Sequence, residues 1–216
     1  MYKKLGKLYW FLSTLPTIIT LIILPYLPNQ IPVHYSLGGE VNRYGSKYES
    51  LVLPLICIII AFLIPYLSNR YDKYDIKSKS NIRVNNLMFI VMNILNLFFL
   101  YNAYTMSDNL NGNLSSNIFN GILPITFIIM GNYMPKTTPN PVFGIRIKAT
   151  LSDEDVWYKT HRMAGKLWVI TGVVTLIIVA WSSFDFGVTV SMIVFVIDVF
   201  IPIVYANKIY KLKNNA

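Results

Sequence analysis

Charge is scarce in this sequence: Asp, Glu, Lys and Arg make up 13% of its 216 residues, about half the share found in an ordinary soluble domain. Cysteine occurs once, as Cys57, which excludes an intramolecular disulfide and a stapled secreted fold. Histidine occurs twice, as His34 and His161. The two fall on loops assigned below to opposite sides of a membrane, so they cannot share a metal ion. The sequence has no HExxH, no Ser/His/Asp set on one side, no phosphate-cradling glycine loop and no paired acids in an apolar run. Catalysis is therefore the least supported class, and the chain reads as a non-enzyme with no cofactor and no metal. It also lacks a recognisable internal repeat.

Apolar residues are abundant, at 54%, and mean hydropathy is +0.48. They lie in long blocks, each of roughly 17–25 residues, the length of a bilayer-spanning helix. The predicted spans are Leu8–Tyr26, Leu51–Leu67, Asn85–Tyr104, Phe119–Met134, Leu167–Trp181 and Val188–Tyr205. Tyr and Trp cluster at their ends, where amphipathic rings sit at headgroup level. The first block is longer than a signal-peptide core and no A-x-A-like site follows, so it reads as an uncleaved span. The expected fold class is all-α: a polytopic membrane helical bundle of six transmembrane helices. Three segments follow, 1–67 as a two-helix unit with loop 27–50, 68–84 as a basic loop, and 85–216 as a four-helix core with loop 135–166.

The formal charge of +9 suits the anionic face of a lipid bilayer better than nucleic acid, because the cations flank apolar blocks. Seventeen of the nineteen Lys and Arg residues fall on the two termini and on loops two and four, leaving Arg43 and Lys47 in loop one. This is a positive-inside pattern. It predicts N-in and C-in, with loops one, three and five external.

Loop one, Leu27 to Lys47, is unlike a passive connector. Val33, Tyr35 and Leu37 alternate with His34 and Ser36. Gly38-Gly39 supplies the positive φ angles of a two-residue hairpin turn. A short external hairpin packed on the helix ends is expected, since a lone hairpin is marginal in water. Its candidate external ligand-binding residues are His34, Tyr35, Glu40, Asn42, Arg43, Tyr44 and Lys47. A solvated loop with internal hydrogen bonds is the equal alternative.

Loop four begins with Pro135-Lys-Thr-Thr-Pro-Asn-Pro141, which cannot be helical. Ser152 followed by three acids predicts a helix start capped by Ser152. Trp157, His161, Ala164 and Trp168 then share one helical face, and Lys159, Arg162 and Lys166 another. The expectation is a cytoplasmic amphipathic helix before helix five, lying at the inner headgroups with its aromatic face towards acyl chains. The alternative is a ligand or partner site at Arg146, Thr160, His161 and Arg162.

Within the spans, Asp198 is costly in lipid and a functional candidate by default. Pro202 removes the helix partner of its carbonyl. Asn86, Asn93 and Asn96 share a face of span three and are expected to meet Asp198. The plainer reading of all these groups is interhelical hydrogen bonding.

Two stretches carry a family resemblance. The first is Leu27-Pro28, Ile31-Pro32-Val-His34 and Arg43-Tyr-Gly45-Ser-Lys47. The second is Gly131-Asn132-Tyr-Met-Pro135, then Asn140, Phe143-Gly144-Ile-Arg146, Thr150-Leu-Ser152, Val156-Trp157, Thr160-His161-Arg162 and Ala164-Gly165. The first looks like the small domain of unknown function that precedes the SdpI core, and the second resembles the signature segment of the SdpI family of bacterial membrane immunity proteins, including its YfhL-type members. The resemblance covers nearly the whole chain. It departs at Ile147-Lys148-Ala149, where the family usually has Thr-Pro-Trp. It implies a plasma-membrane immunity protein against a secreted toxin peptide. In the founding system a cytoplasmic transcriptional repressor is also held at the membrane, so a change in this segment bears on partner choice. No direct nucleic-acid binding is implied. The competing reading from the residues is a small secondary transporter or peptide exporter using Asp198.

The topology is testable. Compartment reporters fused at Asp108 and at Lys159 should report opposite sides of the membrane; the same side for both would remove the six-span layout.

Overall fold

The computed structural model describes residues 5–70, 79–106, 114–140 and 143–215. Most of the predicted basic loop two and loop three around Asp108 lie outside the described residues. Seven α-helices and one two-stranded sheet form from the rest. They are α1 (Lys7–Ile23), β1 (Gln30–Tyr35), β2 (Val41–Ser46), α2 (Val52–Arg70), α3 (Lys79–Thr105), α4 (Leu114–Tyr133), α5 (Lys148–Ser152), α6 (Glu154–Ala180) and α7 (Phe184–Asn214). Six helices are long and apolar enough to cross a membrane. Their outward faces are apolar: Ile22, Ile59, Ile177 and Val204 are each 60% exposed or more. Such a surface suits lipid and not water.

The bundle divides into two packed groups. In one, α1 lies against α2 and α3, with Tyr9, Cys57, Ala61, Ile64 and Phe89 at its centre. In the other, α6 lies against α4 and α7. Here Gly131, Gly165 and Gly172 bring α4 and α6 together. A Cβ at Gly165 would stand 2.6 Å from the Gly131 carbonyl oxygen and 2.8 Å from the Pro135 ring. Close backbone approach at small residues is how membrane helices gain packing contacts when lipid is as apolar as they are.

Four of these helices carry an internal proline, at Pro16, Pro65, Pro124 and Pro202. Each deprives the carbonyl four residues earlier of its N–H partner. For three of them a side chain from another helix fills the gap. Asn93 Nδ2 of α3 donates to Leu12 O at 2.8 Å. The Tyr9 hydroxyl of α1 donates to Ala61 O at 2.9 Å. The Trp168 indole of α6 donates to Asp198 O at 2.8 Å.

This pattern corrects the expectation that the span-three asparagines meet Asp198. Asn93 and Asn96 turn to α1, where Asn96 Nδ2 donates to Thr20 Oγ1 at 3.2 Å. The physical reason is Pro16, whose bare carbonyl partner lies in α1. Two further expectations are corrected at loop four. Asp153, not Ser152, caps α6, its carboxylate accepting from Val156 N–H, while Ser152 ends the short α5. The amphipathic segment is not a separate helix on the headgroups. It is the first turns of a continuous α6.

Each proline-carbonyl contact makes a measurable claim. Tyr9→Phe should lower stability by about 0.6–2 kcal/mol in thermal unfolding in micelles. In a Pro65→Ala background, where residue 65 regains an N–H for Ala61 O, the same change should cost much less. Equal costs in both backgrounds would refute the compensation.

Candidate functional site

At one end of the bundle, β1 and β2 pair antiparallel, with Gln30 opposite Ser46 and Tyr35 opposite Val41. The connection is a three-residue loop, not the expected two-residue turn. Gly39 N–H donates to Ser36 O and Ser36 N–H to Glu40 O. Gly39 alone of the two glycines takes a positive φ, +82°. A turn followed by one left-handed glycine is the common three-residue hairpin. The sheet sits on the helix ends: Ile31 and Val33 pack with Ile19, Ile23, Leu100 and Ala103.

The strands lead into α2 through a tight local device. Ser46 and Glu49 form a capping box over the turn Lys47–Leu51, and Glu49 accepts from the Ser46 N–H. The Arg43 guanidinium grips the same carboxylate through both oxygens, at 2.8 and 3.4 Å. A Cβ at Gly45 would displace the Glu49 carboxylate from this position. Arg43 and Glu49 thereby form the rim of a cavity of about 380 Å³. Ile31, Val33, Val52, Ile56, Phe99 and Leu100 line its walls, and Asn96 also borders it. Val52 and Phe99 are exposed, so the cavity is open to the surroundings of the bundle.

Of the seven predicted hairpin residues, His34, Glu40, Asn42, Arg43 and Tyr44 are exposed. His34 Nδ1 donates to Asn42 Oδ1 at 2.6 Å. Tyr35 is different. It is half-buried against Phe98, Phe119 and Phe184 and serves packing. Lys47 is half-buried, and its backbone N–H ties to Asn29 O. Glu49 escaped the sequence reading, although Ser46-x-x-Glu49 is a capping-box signature.

At the other end, residues 134–140 and 143–153 fold over the first turns of α6. His161 is fully buried at the centre. Its Nε2 accepts from Ile145 N–H at 3.1 Å and its Nδ1 donates to Trp157 O at 2.8 Å. One nitrogen accepting and one donating defines a neutral ring. The Trp157 indole stacks on it at 3.9 Å and donates to Thr137 O at 3.0 Å. Gly144, at φ +103°, passes too close to His161 for any side chain. Thr150 Oγ1 donates to Ile145 O and accepts from Ile147 N–H. Asn140 Oδ1 accepts from Phe143 N–H. The aromatic face expected to meet acyl chains is thus covered by the chain itself. The reason is polar: lipid tails offer no partner for an indole N–H or an imidazole.

Gly144, Thr150, Trp157, Thr160, His161 and Gly165, with Asn140 and Pro135, are therefore framework residues of one knot. Asn132, Arg146 and Arg162 are exposed around it. Lys213 of α7 closes the knot's edge, its Nζ 2.7 Å from the Asp153 carboxylate. Deeper in the bundle Asp198 is fully buried, with the Thr171 hydroxyl 2.8 Å from its Oδ2. Of the residues that hold Asp198, Thr171 carried no signal in a single sequence, and Trp168 entered only as part of an aromatic helical face.

Residues 136–206 match the SdpI/YfhL protein family. Residues 11–58 match a domain of unknown function, DUF1648. The chain is 30% identical over 183 residues to the immunity protein SdpI of Bacillus subtilis (strain 168), covering 82% of this chain and 81% of that one. It is 34% identical over 79 residues to a protein of Archaeoglobus fulgidus described as uncharacterized, covering 33% of this chain and 43% of that one. No solved structure matches.

The Asp153 contact gives a pH dependence. The Lys213 ammonium and the Val156 N–H hold its carboxyl below the usual range. A lowered folded-state pKa gives stability that is present above the unfolded value, about 3.9, and lost as pH falls through the folded one. Hydrogen exchange of the first turn of α6 and the end of α7 should rise on acidification below about pH 4. Asp153→Asn, which keeps a capping oxygen, should remove most of that acid response; an unchanged response would show that Asp153 is not its source.

Proposed function

We propose that this chain, which belongs to the SdpI/YfhL protein family, is a multi-pass bacterial membrane immunity protein that protects its cell against a secreted toxin peptide. The similarity to an immunity protein over most of both chains supports the immunity role. The family points to a non-enzymatic role.

The positive-inside charge pattern supports an external hairpin and cytoplasmic termini. With that orientation, the observation that carries the recognition reading is the roofed cavity. A hairpin fixed to helix ends covers an apolar chamber with an ion pair at its rim, and the chamber opens towards lipid. A membrane-attacking peptide is amphipathic, so its apolar residues suit the walls and its polar groups suit Arg43, Glu49 and the exposed His34–Asn42 pair. Recognition before insertion would need only the hairpin face. Recognition of peptide already in the outer leaflet would use the side opening.

The basic end supports the second part of the reading, recruitment of a cytoplasmic transcriptional repressor. Arg146, Lys159, Arg162 and Lys166 are exposed around the rigid Trp157–His161 knot. A signal reaching them requires toxin to bind two states of the bundle unequally. The carrier reading is weaker, since Asn93 and Asn96, which would have lined a path with Asp198, are engaged by α1.

The test is a challenge of toxin-sensitive cells expressing the chain. The intact protein should raise the tolerated dose. Replacing residues 29–46 by a Gly/Ser linker should abolish protection at equal membrane abundance. Ile56→Trp, which fills the cavity, should cost about tenfold in tolerated dose, the equivalent of about 1.4 kcal/mol of binding. No protection by the intact chain against any related peptide would sink immunity. Full protection by both variants would sink the hairpin site. Toxin-dependent co-purification of a small repressor should occur, and its consistent absence would remove the signalling part.

A further inference from the structure

The surroundings of Asp198 fix where its proton is. The Thr171 hydroxyl has one hydrogen but stands 2.8 Å from two acceptors, the Leu167 carbonyl oxygen and Asp198 Oδ2. If Asp198 were ionised, both would be acceptors and one of these short contacts would hold no hydrogen. Among the described residues its second oxygen, Oδ1, has no partner and would be a buried anionic atom. Among the described residues, none of the ion pairs involves Asp198. The elements against this part of α7 present Trp168 and Thr171 from α6, and Phe127 from α4 beside Phe195. All are uncharged. A buried carboxylate with one hydroxyl partner and no cation is a costly arrangement in a bundle surrounded by lipid.

A protonated Asp198 resolves every contact. The acid donates from Oδ2 to Thr171 Oγ1, and Thr171 donates onward to Leu167 O. The chain of donors then has one hydrogen per contact. The neutral carbonyl Oδ1 is far cheaper to leave unpaired than an anion.

We propose that Asp198 is a proton-binding site, and that the bound proton locks α7 against α6. Its ligand is the proton itself, carried as the neutral carboxylic acid. Release would leave an unpaired anion on the α6–α7 seam and break the Thr171 relay. The Trp168–Asp198 carbonyl contact lies at the same residue, and Pro202 lies one turn further along α7. At that point α7 has already lost a backbone hydrogen bond, which is where a membrane helix bends most easily. Proton loss therefore couples to a shift of α7, the helix whose end holds Asp153 through Lys213.

Infrared spectroscopy of the full chain in lipid nanodiscs at neutral pH tests this. The carbonyl stretch of a neutral carboxylic acid should be present and should be absent in Asp198→Asn. In Thr171→Val it should persist but move to higher frequency, because the acid has lost its acceptor. Carbon-13-labelled aspartate in the unmutated protein should shift the same band, which assigns it to an aspartic acid and not a glutamic acid even if a variant fails to fold. A label-sensitive band confined to ionised carboxylate would overturn the assignment. So would an acid band unaffected by Asp198→Asn.

Discussion

A proline inside a lipid-surrounded helix leaves a carbonyl with no backbone donor, and water is not there to supply one. Much of this bundle is arranged around that constraint. Asn93, Tyr9 and Trp168 each reach from a neighbouring helix to the carbonyl that Pro16, Pro65 or Pro202 has freed. These contacts join α3 to α1, α1 to α2 and α6 to α7. They set which helices are neighbours and at what depth, which apolar packing against equally apolar lipid does weakly. The glycine contacts of α4 and α6 complete the second group. The prolines thus act less as isolated kinks than as acceptors that specify partners.

The two ends of the bundle solve a similar problem with local means. At the hairpin end, a two-stranded sheet would be marginal by itself. Ile31 and Val33 anchor it to helix ends, and the Glu49 carboxylate ties β2 to the start of α2 by serving Arg43 and the Ser46 N–H together. At the other end, the loop before α6 supplies the acceptor for an indole and both partners of an imidazole. The motif that identifies the family is therefore mostly a scaffold. Its rigid core leaves Arg146 and Arg162 in fixed positions on the surface. The bundle thus carries a rigid platform at one end and an apolar cavity beneath a hairpin at the other.

The departures from expectation share one cause. Period and position place Trp157, His161 and Ala164 on one face of a helix, but do not say whether lipid or protein covers it. The segments that cover it are residues 134–140 and 143–153, and their fit depends on Gly144 adopting a positive φ beside His161. The asparagines of span three were legible as interior, since they share a face. That they meet Leu12 O and Thr20 and not Asp198 depends on how α1 and α3 pack. Tyr35 was legible as one of the alternating residues of loop one, and that it packs half-buried against Phe98, Phe119 and Phe184 depends on how the hairpin meets α3, α4 and α7.

The sequence by itself determined the solvent, the number of long apolar helices, the presence of strand-forming residues in loop one, the family, and the fact that Asp198 has a freed carbonyl. Those follow from local composition, run length and proline chemistry, which do not depend on distant residues. The tertiary structure decided which donor reaches which freed carbonyl, which face of each amphipathic element is covered, and where Glu49 closes a chamber. Hydrogen bonds act over about 3 Å, and the decisive partners, such as Leu12 with Asn93 and Trp168 with Asp198, are far apart in the chain.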